Sequence, residues 1–262
     1  MLYAMSDIHG YLGAFQKAME KIDLSGDNRL ILLGDYIDYG PESGQVLRYI
    51  YELQQQYGAE KVIVLRGNHE EMFLEWLDTY SGPNAVKPDE YGLVPYNDWL
   101  NTDRNYATFR TFLAEEQWES FQQIKETETG DGLNTKAAQM ILSANAELMK
   151  WLRKLPYYYE TEKQIFVHAG IDEEAGDLWK LATPEYLFVG KYPATRGKFY
   201  KDIITGHVST ARASGIPGYQ GVYFDGQSHY YIDGSVSASG SVLILTYDEK
   251  TEKYSELKGE RA

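Results

Sequence analysis

The chain has 262 residues, no cysteine and a formal net charge of −14 at pH 7. So acidic a chain is a poor candidate for binding nucleic acid or an anionic membrane through its overall field. The lack of cysteine excludes disulfides and thiolate metal sites, and is compatible with a cytoplasmic location. The sequence has no run of about 18 apolar residues and no leader-like start, so we expect neither a membrane span nor a cleaved segment.

The first 80 residues repeat one plan three times: an apolar run, a polar loop with glycine, and a helix-periodic stretch. The three apolar runs and their loops are LYAM with DIHG, RLILL with GDYIDYGP, and KVIVL with RGNHE. Strands that alternate with helices predict a parallel sheet. Because the runs are continuously apolar, we expect both faces of this sheet to be covered.

The pattern then changes. Residues from about 80 to 155 are aromatic, acidic and helix-periodic, which predicts a helical insertion within a single domain spanning 1–262. Strand signals return in QIFVHAG and DIITGH. The tail carries GVYF, SHYYID and GSVLILTYD between turn residues, which predicts antiparallel strands and hairpins. His229 and Asp233 are interpreted there as an ordinary strand residue and a strand end.

Metal-ligating side chains follow five of the predicted strands. They are Asp7 and His9, then Asp35 and Asp38, then Asn68 and His69, then His168, and last His207. In an open α/β sheet ligands collect where strands end, so we expect these side chains to converge. Each residue alone is more often structural, but converging carboxylates and imidazoles would repel or desolvate one another unless cations lay between them. Oxygen and nitrogen ligands without sulfur suit Mn²⁺, Fe or Zn²⁺ better than Ca²⁺.

Five motifs in order, DIHG, GDYIDYG, RGNHE, HAG and GH, resemble the signature of the calcineurin-like metallophosphoesterases. The resemblance is to the phosphoprotein phosphatase branch, with its bacterial and phage members and the symmetrical dinucleoside tetraphosphate hydrolases. It implies an α/β fold in which two facing β-sheets are flanked by helices (α-β-β-α), here with a helical insertion.

The resemblance also implies a role for each site residue. Two divalent ions, Mn²⁺ by preference and Fe or Zn²⁺ as alternatives, would be held by Asp7, His9, Asp35, Asn68, His168 and His207. Asp35 would be shared between the ions, and a hydroxide between them would attack phosphorus without a covalent enzyme intermediate. His69 would protonate the leaving oxygen, with Asp38 orienting its ring.

This sequence departs from the family pattern at two arginines that hold phosphate. Tyr39 stands where the family has arginine after GDxxD, and Gly190, in YLFVGKY, stands at the second position with Lys191 beside it. Lys191, Arg196 and Arg212 are candidate replacements, and Tyr39 either donates a hydrogen bond to substrate or packs. Arg66 is a candidate phosphate ligand, with an ion pair to Glu70 or Glu71 as the alternative.

The branch resemblance and the ending GNHE favour a phosphomonoesterase similar to serine/threonine protein phosphatases. Hydrolysis of dinucleoside polyphosphates or other nucleotides is the first alternative, which the missing arginines make more credible. A metal-binding regulatory module without catalysis is an alternative of another class. The sequence does not decide among them, nor does it give the metal, the oligomeric state or the role of the insertion.

Overall fold

A computed structural model of the protein describes residues 1–81 and 99–257. Strands in these ranges are β1 (Leu2–Met5), β2 (Arg29–Leu32), β3 (Val62–Val64), β4 (Tyr158–Glu160), β5 (Gln164–Val167), β6 (Asp202–Ser209), β7 (Tyr223–Phe224), β8 (His229–Asp233), β9 (Leu245–Asp248) and β10 (Lys253–Glu256). They form two five-stranded sheets, in the orders β10-β9-β1-β2-β3 and β4-β5-β6-β8-β7.

Both sheets mix parallel and antiparallel pairs. The predicted parallel pairing of the first three strands is confirmed, since β1 pairs with β2 and β2 with β3 in parallel. In the tail, β7 and β8 form the predicted antiparallel pair. The strand β9 also pairs antiparallel, with β1 and with β10, a strand that the sequence analysis did not predict. The prediction was incomplete for β8, which also runs parallel to β6 because the chain crosses back between the two strands. The carboxyl end of β8 therefore lies at the same edge as that of β6.

Helices cover the outer face of each sheet. Those described are α1 (Leu12–Met19), α2 (Ser43–Tyr57), α3 (Asn68–Ser81), α4 (Trp99–Thr102), α5 (Ala107–Arg110), α6 (Glu115–Thr127), α7 (Gly130–Leu152), α8 (Trp179–Ala182), α9 (Glu185–Gly190), α10 (Thr210–Ser214) and α11 (Val236–Ser239). The helices α1 to α7 pack on the first sheet, and α8 and α9 on the second. This α-β-β-α arrangement confirms the predicted fold. Over the described ranges, no helix has the length and apolar character needed to span a bilayer.

The inner faces of the two sheets share one apolar layer. Ile31 and Leu33 from the first sheet pack in it with Phe166 and Ile204 from the second, all at most 2% exposed. Burying each such side chain contributes about 1.5–3 kcal/mol. Because this layer fixes one sheet against the other, the loops at the carboxyl ends of both sets of strands are held opposite one another.

The predicted insertion of about 80–155 lies partly outside the described residues, which resume at Trp99. Of its described helices, α7 packs on α2 and α3, α4 packs on α3, and α6 packs on α7. Asn145 interrupts α7 with non-helical torsions, and its amide donates to the carbonyl of Phe112 and accepts from Arg48 of α2. The insertion therefore shares the core of the first sheet's outer helices.

Candidate metal centre

The loops that carry the candidate ligands have a strained backbone. Asp7, His9, Asp35, Asp38 and His207 all have positive φ, between 48° and 70°. Side chains other than glycine seldom adopt this left-handed conformation, and such residues cluster at functional sites. The strain is held by contacts between loops, as where the backbone N–H of His9 donates to the carbonyl of Asp35 at 2.9 Å.

Two glycines let the second and third loops touch. A Cβ on Gly34 would lie 2.5 Å from the backbone nitrogen of Gly67, and a Cβ on Gly67 would fall on the Asp35 side chain. No larger residue fits at either position without moving the backbone. This close approach brings Asn68, which follows Gly67, beside Asp35.

A buried carboxylate, that of Glu70, ties the same two loops together. It accepts hydrogen bonds from the backbone N–H groups of Asp35 (2.8 Å), Tyr36 (2.7 Å), Ile37 (3.3 Å) and Gly67 (3.0 Å). Glu70 is fully buried. The ion pair that the sequence analysis offered for Arg66, with Glu70 or Glu71, is confirmed, and its partner is Glu71 at 2.8 Å.

Backbone carbonyls set the tautomers of two histidines. Nδ1 of His9 lies 2.9 Å from the carbonyl of Ile37, and Nδ1 of His168 lies 3.0 Å from that of Leu33. A carbonyl only accepts, so each Nδ1 carries a proton, and Nε2 is the atom through which each ring could bind a cation. Both Nε2 atoms face Asp35 Oδ2, at 3.7 Å for His9 and 3.3 Å for His168.

Asn68 completes the second half of the centre. Its Oδ1 lies 3.0 Å from His168 Nε2 and 2.9 Å from His207 Nδ1. The backbone N–H of His207 donates to Asp7 Oδ2 at 3.1 Å, which joins the last of these loops to the first. The structure thus brings together all six residues that the resemblance implies as ligands.

Two groups of side chains share Asp35. One contains His9, Asp35 and His69, the other Asp35, His168 and His207, and the ligand atoms of each group lie within 4.8 Å of one another. A carboxylate common to two clusters of oxygen and nitrogen donors fits a pair of divalent cations. His69 falls in the first group, but its Nδ1 is already bonded to Asp38, 2.7 Å away.

The electrostatics of the centre favour bound cations. Burial and the charge of Asp35 raise the pKa of Asp7 to about 6, although the charge of His168 acts to lower it. Burial and the charge of Asp7 raise the pKa of Asp233 to about 7. These carboxyl groups are crowded enough to compete for protons. Divalent ions would remove the conflict by supplying the missing positive charge.

The His69–Asp38 pair lies beside this centre. Burial disfavours the charged form of His69, but the carboxylates of Asp35 and hydrogen-bonded Asp38 outweigh it and raise the pKa of His69 to about 9. His69 Nε2 lies 3.9 Å from Asp35 Oδ2, so it faces the two clusters. At neutral pH this nitrogen holds a proton that it can deliver to an atom in the cavity.

An open cavity exposes the centre. It is lined by Asp7, His9, Asp35, Tyr39, Asn68, His69, His207, Asp233, Ser235, Val236 and Ser237. Asp233 and the serines were missed as lining residues. Asp233 is the last residue of β8, which is parallel to β6, so a parallel assignment for β8 would have found it by the same rule as the others.

Three predicted substrate ligands lie elsewhere. Arg66 pairs with Glu71, and Lys191 binds Glu173 and the carbonyl of Ile171, both at 2.7 Å. Arg196 donates to the carbonyl of Ala213. The prediction that Arg66, Lys191 and Arg196 bind substrate is therefore corrected, because each of these cations is engaged in holding a loop. Of the predicted substrate ligands, only Tyr39 lines the cavity. Among its described lining residues there is no lysine or arginine.

Comparison with known proteins agrees with this geometry. The model of the calcineurin-like phosphoesterase family matches residues 2–233, and the chain therefore belongs to that family. It is 30% identical over 105 residues to a symmetrical bis(5'-nucleosyl)-tetraphosphatase of Buchnera aphidicola, covering 40% of this chain and 34% of the relative. To the enzyme of that name from Nitrosococcus oceani it is 25% identical over 187 residues, covering 70% and 47%.

The chain thus spans less than half the length of these curated relatives. A cold-active protein-tyrosine phosphatase of a psychrophilic Shewanella shares the fold, with a TM-score of 0.54, 16% identity, and coverage of 98% of this chain and 80% of that one. Family membership confirms the resemblance seen in the sequence, and the family is described as one of phosphoesterases.

Proposed function

We propose that the protein is a dinuclear metal-dependent hydrolase of dinucleoside polyphosphates or related nucleotide phosphoesters. The observation that carries the proposal is the pair of ligand clusters that share Asp35 beside the hydrogen-bonded His69–Asp38 pair. The choice of substrate is supported by the two relatives named as tetraphosphatases. This places the first alternative of the sequence analysis ahead of its main hypothesis, a serine/threonine phosphatase.

The chain's own donors account for two cation sites. Asp7 and His9 would hold one ion, Asn68, His168 and His207 the other, with Asp35 shared. When bound, such ions lower the pKa of water and neutralise phosphoryl charge. The donor set suits Mn²⁺, Fe or Zn²⁺, and Mn²⁺ stays our preferred ion. A cytoplasmic location also stays a prediction.

His69 and Asp38 act on the leaving group. The Asp38 carboxylate accepts a hydrogen bond from the Nδ1–H of His69, which keeps the Nε2 proton directed at the cavity. In the transition state that proton passes to the oxygen that leaves phosphorus, which typically accelerates hydrolysis by ~10²–10⁴-fold.

The rest of the cavity wall suits the base of a nucleotide better than it suits phosphate groups beyond the one at the metal centre. It has no cationic side chain among the described residues, and Asp233 adds a carboxyl group. Tyr39 is 74% exposed, and its ring stands edge-on to His9 at 4.8 Å and to His69 at 5.2 Å. Its free surface offers a planar base a stacking partner, an interaction worth about 1–3 kcal/mol.

A phosphomonoester such as phosphoserine in a protein is the second candidate, and the His69–Asp38 pair is what favours it. The alkoxide that leaves phosphoserine is far more basic than a departing nucleotide phosphate, so it gains more from a positioned proton. The same pair argues against a metal-binding module without catalysis, because binding alone requires no acid for a leaving group.

A substrate panel with Mn²⁺-loaded protein tests the proposal. We expect kcat/KM to be highest on diadenosine tetraphosphate, lower on p-nitrophenyl phosphate and lowest on a phosphoserine peptide. A preference for the peptide would establish the second candidate instead. If none of the three substrates were hydrolysed while elemental analysis found two equivalents of metal, the protein would be a metal-binding regulatory module without catalysis.

A further inference from the structure

We propose that Trp99, in the helical insertion, is a positioning residue for the His69–Asp38 pair. Its indole Nε1 donates to Asp38 Oδ2 at 3.3 Å, the same oxygen that lies 2.7 Å from His69 Nδ1. The inference rests on the proposed function, in which His69 is the general acid. It gives the insertion a role that the sequence alone left open.

Trp99 is held so that its N–H has one direction. The side chain is 4% exposed and its ring packs on Phe73 and Trp76, with ring centroids 4.7 Å and 5.0 Å away. Just beyond α4, the carboxylate of Asp103 accepts from the backbone N–H groups of Thr108 (3.0 Å) and Phe109 (2.8 Å). This packing holds α4 against α3, and the Asp103 bonds fix the turn that follows α4.

An indole nitrogen only donates, and a buried one needs a partner. With two donors on one oxygen, the Asp38 carboxylate cannot turn about its own axis without breaking both bonds. The Asp38 backbone is held as well, by an N–H bond to Ser43 Oγ at 3.0 Å. Asp38 therefore presents a fixed acceptor to His69, which fixes the plane of the imidazole and the direction of its Nε2 proton.

Replacement of Trp99 by phenylalanine tests this role, because it keeps an aromatic ring and removes the N–H. The matched control is Trp179→Phe, since Trp179 is also fully buried and donates its indole N–H at 3.0 Å to the hydroxyl of Tyr200, in the core cluster on the outer face of the second sheet. Unfolding of both variants is followed by circular dichroism. Activity is compared on an alkyl phosphate, whose leaving group needs a proton, and on p-nitrophenyl phosphate, whose leaving group does not.

We expect Trp99→Phe to lower kcat about tenfold on the alkyl phosphate and less than about twofold on the aryl phosphate, since a misdirected acid loses part of its ~10²–10⁴-fold effect. Trp179→Phe should change both rates by the same factor. Equal losses on both substrates in Trp99→Phe would mean that the residue only packs, and would overturn the proposal.

A measurement independent of turnover separates this inference from the proposed function. In the nitrogen–proton NMR spectrum of the metal-free protein, the indole signal of Trp99 is identified by sequential resonance assignment of the isotope-labelled wild type, so the measurement does not need the Trp99→Phe variant. If the bond exists, Asp38→Ala shifts that signal and leaves the indole signal of Trp179 in place. An unmoved Trp99 signal would overturn the inference even in an active enzyme. If the wild type hydrolysed nothing, the proposed function would fail while this spectrum still decided the contact, as it would if Trp99→Phe did not fold.

Discussion

The carboxylate of Glu70 lies 2.8 Å from the backbone nitrogen of Asp35, the residue shared by both ligand clusters. Three further backbone N–H groups point at the same carboxylate. Glu70 thus fixes the backbone of the loop whose side chain would touch both ions. It contributes no ligand itself, yet the position of Asp35 depends on it.

Replacing Glu70 with glutamine should weaken metal binding. The amide keeps the size of the side chain but turns an NH₂ group toward backbone N–H donors, so at least one of the hydrogen bonds must break. Partners that hold a ligand in this way typically contribute 10–100-fold to metal affinity, so we expect a loss of about that size. Titration calorimetry with Mn²⁺ measures it.

Glu71→Gln is the control for that loss. Glu71 is adjacent in sequence, but its carboxylate pairs with Arg66 at 2.8 Å and does not contact the Asp35 loop. The metal affinity of the Glu71→Gln variant should stay within about twofold of the wild type, because the change lies outside the groups that hold the ligands. Equal affinity in both variants would show that Glu70 does not position Asp35.

Replacing His69 with asparagine should separate chemistry from metal binding. The variant lacks the proton donor but leaves all six proposed ligands in place, so kcat on an alkyl phosphate should fall by ~10²-fold or more. Elemental analysis should still find two metal ions. Full activity in a metal-loaded variant would mean that another group protonates the leaving oxygen.

The site was predictable from sequence where a rule of topology applied. Asp7, Asp35 and Asn68 follow strands that are parallel, and parallel strands end at one edge, so their convergence followed from the apolar runs alone. Glu70 and Trp99 could not be found that way. Glu70 acts through backbone groups that carry no sequence signal, and Trp99 reaches Asp38 from 61 residues away through packing of the insertion.

The fold likewise has one part that the sequence predicts and one part that it does not. Alternating strands and helices predict the parallel part of the first sheet, because period and strand length are local properties. The parallel pairing of β8 with β6 depends on the path of the chain between them, which local pattern does not encode. Asp233 was read as a strand end only for that reason, and its place in the cavity was missed.

His229 should make stability depend on pH. Its ring lies between Glu173, at 3.0 Å from Nε2, and Asp225, at 3.1 Å from Nδ1. Burial opposes its charge, but these partners outweigh burial and raise its pKa above 6.5. A raised histidine pKa stabilises the fold fully below about pH 6.5, and that contribution is lost as pH rises through the folded pKa.

Urea denaturation of His229→Gln measures this effect. The pKa of Glu173 is lowered from 4.5, so its own contribution is lost only in acid. The difference in unfolding free energy between wild type and variant should therefore be largest near about pH 5.5 and smaller near about pH 9. A difference that does not change with pH would show that His229 acts by packing alone.

Replacing Tyr39 with arginine should change substrate preference. The side chain stands at the mouth of a cavity with no cation among its described lining residues, so an arginine there would gain a phosphoryl oxygen as its partner. A charge-assisted hydrogen bond of this kind is worth about 1.5–3 kcal/mol, which corresponds to a fall of roughly tenfold or more in KM for a phosphomonoester dianion. The KM should also become more sensitive to salt, because the new attraction is screened.

The same change removes the ring that we propose for stacking. The KM for diadenosine tetraphosphate should therefore fall less than the KM for the phosphomonoester. Tyr39→Phe is the control, because it keeps the ring beside His9 and His69 and removes only the hydroxyl. If the ring matters, this variant keeps the wild-type ratio of the two KM values. If Tyr39→Phe instead raised both KM values as much as Tyr39→Ala does, the hydroxyl would be the group that binds phosphate, and the stacking role would be wrong.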